Sequence, residues 1–147
     1  MTDAFPEDAY PELDDAAIRR LLTGTRTWAI VGLSDNTERP AYGVAAFLKS
    51  VGKRIVPVHP KTVPVHGEPG YATLAEIPFP VDVVDVFRRS EAAGQFADEA
   101  VAIGARAVWL QLGVFADPDS VSRAREAGLD VVEQRCPAIE LPRLSSR

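Results

Sequence analysis

The residue types best suited to chemistry lie in short runs that follow apolar stretches. Gly32-Leu33-Ser34-Asp35-Asn36-Thr37-Glu38-Arg39-Pro40 is a small, polar segment leading into a helical pattern. A helix N-terminus with hydroxyls and Arg39 beside it suits a phosphate or pyrophosphate, because unpaired amides and the helix dipole both favour an anion. Asp35 and Glu38 are compatible with that role only if they face solvent or cap the helix. The dinucleotide signature GxGxxG is absent, since Ser34 and Thr37 stand where its second and third glycines would fall. A second run, His59-Pro60-Lys61, ends the next apolar stretch where an NAD site normally carries Asp or Glu for the ribose hydroxyls. A cation there suits a ribose phosphate, as in NADP or in coenzyme A with its 3′-phosphate; a solvated loop lysine is the equally simple alternative. Gln111, at the end of a further strand-like run, is a better ligand candidate than Trp109, whose indole is expected to pack against a helix.

These residues depend on elements that bring them to one edge. Asp14 or Asp15 can cap a short helix bearing Ala17, Ile18, Leu21 and Leu22, with Gly24 to end it. Apolar runs at 27–32, 54–58, 81–87, 107–111 and 129–132 predict five strands, with Pro57 near the end of the second or at a bulge. Between them, Val44, Phe47, Leu48 and Val51 recur at helical spacing before Gly52; a helix capped by Ser90 closes at Gly104; and Asp117-Pro118 opens a helix ending near Gly128. Pro60, Pro64, Gly67, Pro69 and Gly70 mark a long irregular loop. Strands alternating with single helices imply right-handed βαβ units: an α/β, Rossmann-like fold with a five-stranded parallel sheet covered by helices on both faces. Ligands of such sheets bind beyond the carboxyl ends of the strands, where the clusters above fall.

Composition limits the choices. With 147 residues, 46% hydrophobic and 25% charged, the chain is expected to form one domain over residues 14–147 behind an extended acidic lead-in at 1–13. Sixteen basic and twenty-one acidic side chains give a net charge of −5. Asp3, Glu7, Asp8, Glu12, Asp14 and Asp15 supply six of the acids with no base among them, so the remaining body carries +1. That is no polybasic footprint for nucleic acid, but it allows a local anion site. No apolar stretch reaches the roughly 18–20 residues of a membrane span and the N-terminus lacks a secretory pattern, so a cytoplasmic protein is expected. The lone Cys136 excludes an intramolecular disulfide, and with only His59 and His66 beside it the spacing of a metal site is missing. Asp82 and Asp85 differ by an odd step and face opposite sides of a strand, and Glu133 and Glu140 have no evident base or nucleophile partner.

The runs Ile30-Val31-Gly32-Leu33-Ser34, Arg39-Pro40, Pro57-Val58-His59-Pro60-Lys61, Val83-Val84-Asp85-Val86-Phe87-Arg88, Trp109-Leu110-Gln111-Leu112-Gly113-Val114 and Arg135-Cys136-Pro137 occur in an order that closely resembles the small stand-alone bacterial CoA-binding proteins. These are similar to the N-terminal CoA-binding domain of the succinyl-CoA synthetase alpha subunit. The resemblance runs from about residue 14 onward. It implies that Gly32, Leu33, Ser34, Asn36 and Thr37, with Arg39 and Pro40, cradle phosphate. It further implies that Lys61, beside His59 and Pro60, meets the phosphate on the ribose, that Phe87 and Arg88 line the nucleotide, and that Leu110, Gln111 and Leu112 contact the ligand after the fourth strand. His59 replaces an asparagine frequent in relatives. The synthetase subunit continues into a domain carrying a phosphohistidine, and no histidine follows His66 here, so ligase activity by this chain alone is not expected.

The reading from sequence is therefore a module that binds coenzyme A or an acyl-CoA, without independent catalysis. Its alternatives are an NADP-dependent oxidoreductase and a ligand-sensing regulatory interaction protein. Cys136 is expected to be an inert buried thiol, or else a thiol near the pantetheine end that traps CoA as a mixed disulfide.

Overall fold

The computed structural model describes residues 12–145; the acidic lead-in expected at 1–13 lies almost wholly outside them. In chain order the elements are α1 (Asp15–Gly24), β1 (Thr27–Val31), α2 (Pro40–Ser50), β2 (Arg54–Val58), a 3-10 turn (Leu74–Glu76), β3 (Val83–Val86), α3 (Ser90–Ala102), β4 (Ala107–Leu110), α4 (Pro118–Glu126), β5 (Asp130–Glu133) and α5 (Pro137–Ser145). The five strands form one parallel sheet in the order β2-β1-β3-β4-β5. This is the α/β, Rossmann-like architecture expected from the alternation of strands and helices.

Alternating side chains along each strand build two cores. Ala29, Val31, Val84, Val86, Val108 and Leu110 face α3 and α4, while Trp28, Ile30, Val83, Trp109 and Val132 face α1, α2 and α5. The Trp28 and Trp109 rings lie 5.5 Å apart, and each indole N–H finds an acceptor, Thr25 Oγ1 for Trp28 and the Arg135 carbonyl for Trp109. Trp109 thus serves packing, as expected, and also pins the chain between β5 and α5.

Local capping signals decide some helix ends and tertiary contacts decide others. Asp14 caps α1 through the Ala17 amide, and Asp117 caps α4 through the Ser120 amide with Pro118 next. Gly24 instead lies in the last turn of α1, where Thr25 is the C-cap. Ser90 is not the cap of α3: Arg89 holds that position without a side-chain bond, and the Ser90 hydroxyl accepts from the Phe115 amide at 2.9 Å. α2 begins at Pro40, and α5 forms beyond the last expected strand with Pro142 inside it. Pro57 sits near the end of β2, as expected, one residue before its last and on an edge strand whose outward positions need no donor to β1. There the Pro57 carbonyl accepts from Tyr71, whose carbonyl in turn takes the His59 amide.

α3 and α4 pack closely through Gly94. A Cβ at this position would collide with Asp117 Oδ1 and the Ser120 hydroxyl, the capping pair of α4. Gly→Ala inside a helix ordinarily stabilises by about 1 kcal/mol, so the steric cost has the opposite sign from propensity. Gly94→Ala is expected to lower stability by about 1–3 kcal/mol, read as a fall in the urea midpoint; an unchanged or higher midpoint contradicts the close packing.

Candidate functional site

The chain runs β1–α2–β2 toward one edge of the sheet, then returns to β3 on the other side of β1. The segments after β1 and β3 therefore part in opposite directions and leave a crevice between them. Gly32 sits at this crevice with φ +98°, its N–H donating to the Val58 carbonyl at 2.8 Å. A Cβ there would lie 2.9 Å from the Phe87 carbonyl oxygen, so both backbone angle and space require glycine.

Beyond Gly32 the loop folds on its own polar groups. Asn36 N–H donates to Ser34 Oγ at 3.3 Å, and Glu38 N–H donates to Asn36 Oδ1 at 3.0 Å. Ser34 Oγ used as an acceptor keeps its proton for an anion, and the Asn36 amide keeps two donors. Asp35 and Glu38 are exposed and absent from the cavity wall.

The crevice opens into a cavity of about 660 Å³. Gly32, Ser34, Asn36, Arg39 and Pro40 line it from the β1–α2 side, His59 and Lys61 from the end of β2, Phe87 and Arg88 from the end of β3, and Gln111 and Leu112 from the end of β4. Four residues named from the sequence are not in this wall. Leu33 and Leu110 are side chains of the two cores, and Thr37 and Pro60 lie in the exposed parts of their loops. Five others complete the wall: Ala41 and Val44 on the first turns of α2, Arg89, Val114 and Cys136. Arg89 adjoins Arg88 in sequence and was available to the same argument; Ala41, Val44 and Val114 come from tertiary packing and have no signal of their own.

Charge is distributed unevenly along this wall. Arg39, Lys61, Arg88 and Arg89 gather at the β2, β1 and β3 end, and no carboxylate lines the cavity among the described residues. His59 Nδ1 accepts the Lys61 amide at 3.1 Å, so its proton resides on Nε2 and the ring is neutral. Partial burial holds its pKa below the usual histidine value, helped by Arg88 and Lys61 and opposed by Asp35. The other histidine, His66, bonds the Tyr42 carbonyl through Nε2 at 2.9 Å and packs against the Tyr42 ring at a 48° tilt, tying the 59–70 loop to α2.

At the β4–β5 end the wall is apolar apart from Gln111. This residue is 5% exposed and its Oε1 has no partner, an acceptor held in place without a donor. A buried unsatisfied acceptor costs about 1–3 kcal/mol. The loop that carries it is braced on two sides: Gln134 accepts from the Gly113 amide at 2.9 Å and donates to the Val114 carbonyl at 2.6 Å, and Ser90 holds Phe115.

Beneath the cavity, Asp85 lies in the sheet between Ile30 and Trp109, fully buried, with neither carboxylate oxygen hydrogen-bonded. Burial raises its pKa well above the usual range, and the group is held as the neutral acid. Asp82, by contrast, accepts the Arg26 and Thr27 amides at the opposite end of the sheet, so the two aspartates do not form a pair.

An open parallel sheet with a cationic crevice at its topological switch point is an α/β domain of the Rossmann-like class. Comparison with known proteins gives the family. The CoA binding domain family matches residues 26–142. The uncharacterized protein YneT of Bacillus subtilis is 32% identical over 121 residues, 82% of this chain and 89% of its own. Among solved structures, a hypothetical protein from Pyrococcus horikoshii is 34% identical with a TM-score of 0.86, covering 99% of both chains. A Thermus thermophilus protein is also 34% identical, with a TM-score of 0.84, over 90% of this chain and 99% of its own. A dinucleotide-forming acetyl-coenzyme A synthetase of Ca. Korarchaeum cryptofilum shares the fold at 20% identity and a TM-score of 0.67; this chain covers 29% of it. The chain belongs to the CoA-binding domain family. Among the described residues no helix is long and apolar enough to cross a membrane.

Asp85 yields a stability prediction. Its acid form is the native form, so its contribution is complete below pH about 4, the unfolded value, and is lost as pH rises toward the native pKa, at about 1.4 kcal/mol per pH unit. Asp85→Asn, neutral at every pH, should unfold at nearly the wild-type urea concentration at pH 4 and at a clearly higher one at pH 7.5. A difference that does not grow with pH would show that Asp85 is ionised in the fold.

Proposed function

We propose that this chain holds coenzyme A, or an acyl-CoA, along the carboxyl edge of its sheet and does so without catalysing a reaction of its own. The carrying observation is one continuous cavity whose wall has four cationic side chains on the segments after β1, β2 and β3 and the apolar Leu112 and Val114 on the segment after β4. CoA has the matching polarity, with a phosphorylated nucleotide at one end and an amide-bearing, weakly polar arm at the other.

In this reading the Ser34 hydroxyl, the Asn36 amide and Arg39 receive the pyrophosphate. Lys61 meets the 3′-phosphate, with the His59 Nε2–H as a further donor. Gln111, Leu112 and Val114 flank the pantetheine arm. The absence of the second and third glycines of the dinucleotide signature supports CoA over NADP, since Ser34 and Thr37 restrict how near the backbone can come to a pyrophosphate in that fashion. Support for a binding role comes from the wall itself, which offers cations, a hydroxyl and amides for holding anions.

Calorimetric titration with CoA, NADP and NAD tests the reading, with CoA expected to bind tightest; NADP binding as tight or tighter would overturn it. Lys61→Ala is expected to weaken CoA by about 1.5–3 kcal/mol, the range of a charge-assisted hydrogen bond, with the unfolding midpoint nearly unchanged. Dephospho-CoA should bind the wild type more weakly than CoA and be almost indifferent to the substitution. Equal weakening of both ligands would move Lys61 to the pyrophosphate, and no weakening of either would make it a solvated loop lysine.

A further inference from the structure

Four large apolar side chains are exposed among the described residues, and three of them, Leu112, Phe115 and Ile139, belong to the segments that follow β4 and β5 at the carboxyl edge of the sheet. Leu112 is 55% exposed and also lines the cavity, so the apolar surface outside is continuous with the wall inside. Phe115 adjoins Val114 of the wall and is 62% exposed, and Ile139, 55% exposed, lies in the first turn of α5, three residues beyond Cys136 of the wall. This exposure is not that of a loose loop tip. The Gln134 side chain holds both the Gly113 amide and the Val114 carbonyl, and the Phe115 amide donates to Ser90 Oγ. Gln134 stands between β5 and α5, so it ties the loop carrying Leu112 and Phe115 to the junction that leads to Ile139.

Size and position decide what can cover this surface. A stable protein–protein interface buries about 800 Å² on each partner, from roughly 20–30 residues a side, and three apolar side chains fall far short of that. They suit instead the flank of a short hydrocarbon chain, which needs apolar contact along its length and no hydrogen bond. The strand order β2-β1-β3-β4-β5 puts the segments after β4 and β5 farthest from Lys61, while Arg39 follows β1 and Arg88 and Arg89 follow β3. The apolar surface and the cations thus belong to different segments of one edge and meet in one cavity.

We infer that Leu112, Phe115 and Ile139 form an acyl subsite, so that the preferred ligand is a medium-chain aliphatic acyl-CoA rather than CoA itself. This inference rests on the CoA reading above and names the thioester class within it. With the phosphates among the cations and the pantetheine arm beside Leu112 and Val114, an acyl group on the terminal sulfur continues past Leu112 onto the apolar surface outside the cavity. Association then removes apolar area from water on both partners, the methylenes of the chain and the side chains beneath them. Full burial of one methylene is worth roughly fourfold in affinity, and a chain covered on one side gains about half of that free energy, or about twofold per methylene.

The test is calorimetric titration of the full chain with CoA and with acetyl-, butyryl-, hexanoyl- and octanoyl-CoA, below the concentrations at which these ligands form micelles. Octanoyl-CoA is expected to bind about tenfold or more tighter than butyryl-CoA, from four added methylenes at about twofold each. Phe115→Ser and Ile139→Ser, at exposed positions outside the cavity wall, should leave the Kd for CoA and the urea midpoint unchanged. Each should lower the octanoyl-to-butyryl ratio about twofold or more, and the double substitution should lower it further. Octanoyl-CoA that binds no tighter than butyryl-CoA, while CoA itself binds, overturns the acyl subsite and leaves the CoA reading standing. Sedimentation of such a protein as a dimer that Phe115→Ser dissociates would assign the apolar surface to a second copy of the chain instead. A chain-length gain that survives the double substitution intact overturns the assignment to these residues. Wild type that binds no member of the series overturns the CoA reading as well.

Discussion

The constraint on which the remainder depends is the passage of two backbones at Gly32. β1 and β3 are neighbours, and at their carboxyl ends the chain after β1 must bend away while the chain after β3 goes the other way. The bend occurs at a positive φ and within van der Waals range of the Phe87 carbonyl, conditions that a side chain cannot meet. Once it is made, Ser34 and Asn36 can close the loop on themselves, α2 can start at Pro40 with its amides toward the crevice, and Arg88 comes to face the same space.

Much of this was legible because the relevant rules are local. Apolar runs ending in Gly32, His59, Phe87 and Gln111 marked strand ends, and strand ends in a parallel sheet share one edge. Strand limits were less legible, since Asp82 looks like part of an apolar run while its carboxylate takes the Arg26 and Thr27 amides outside the strand. Ser90 resembled a cap because its sequence context is that of a cap, whereas its hydroxyl serves a loop 25 residues away. α5 escaped notice because Pro142 interrupts its pattern and its anchoring is tertiary: buried Glu140 is bound by Arg135 and Arg143. The same distinction separates the wall residues that could be read from those that could not. Lys61 and Gln111 are fixed by strand ends, but Ala41, Val44 and Val114 reach the cavity only because α2 and the loop after β4 pack where they do.

The site combines a polar rim with a dry floor. Its cations lie on loops and helix starts at the surface, where hydration tempers their mutual repulsion. Immediately beneath are two tryptophans, an un-ionised aspartate and a glutamine with an idle acceptor. Such a floor is costly to assemble and gives the interior half of the cavity a low dielectric, in which a single amide contact discriminates more strongly than it would at the rim.

α1 and α5 lie side by side on one face of the sheet, joined by the ion pair of Arg143 with Asp15 at 2.8 Å. A polypeptide entering at α1 and leaving at α5 therefore does so at one place, remote in sequence from the strand-end loops that form the cavity. Domains whose ends meet in this way can be spliced into a loop of a host protein, or have their ends joined and be reopened elsewhere, without stretching the fold. The architecture is thus portable: the cavity can be carried as an insert by a larger chain while the strand order that creates it stays intact.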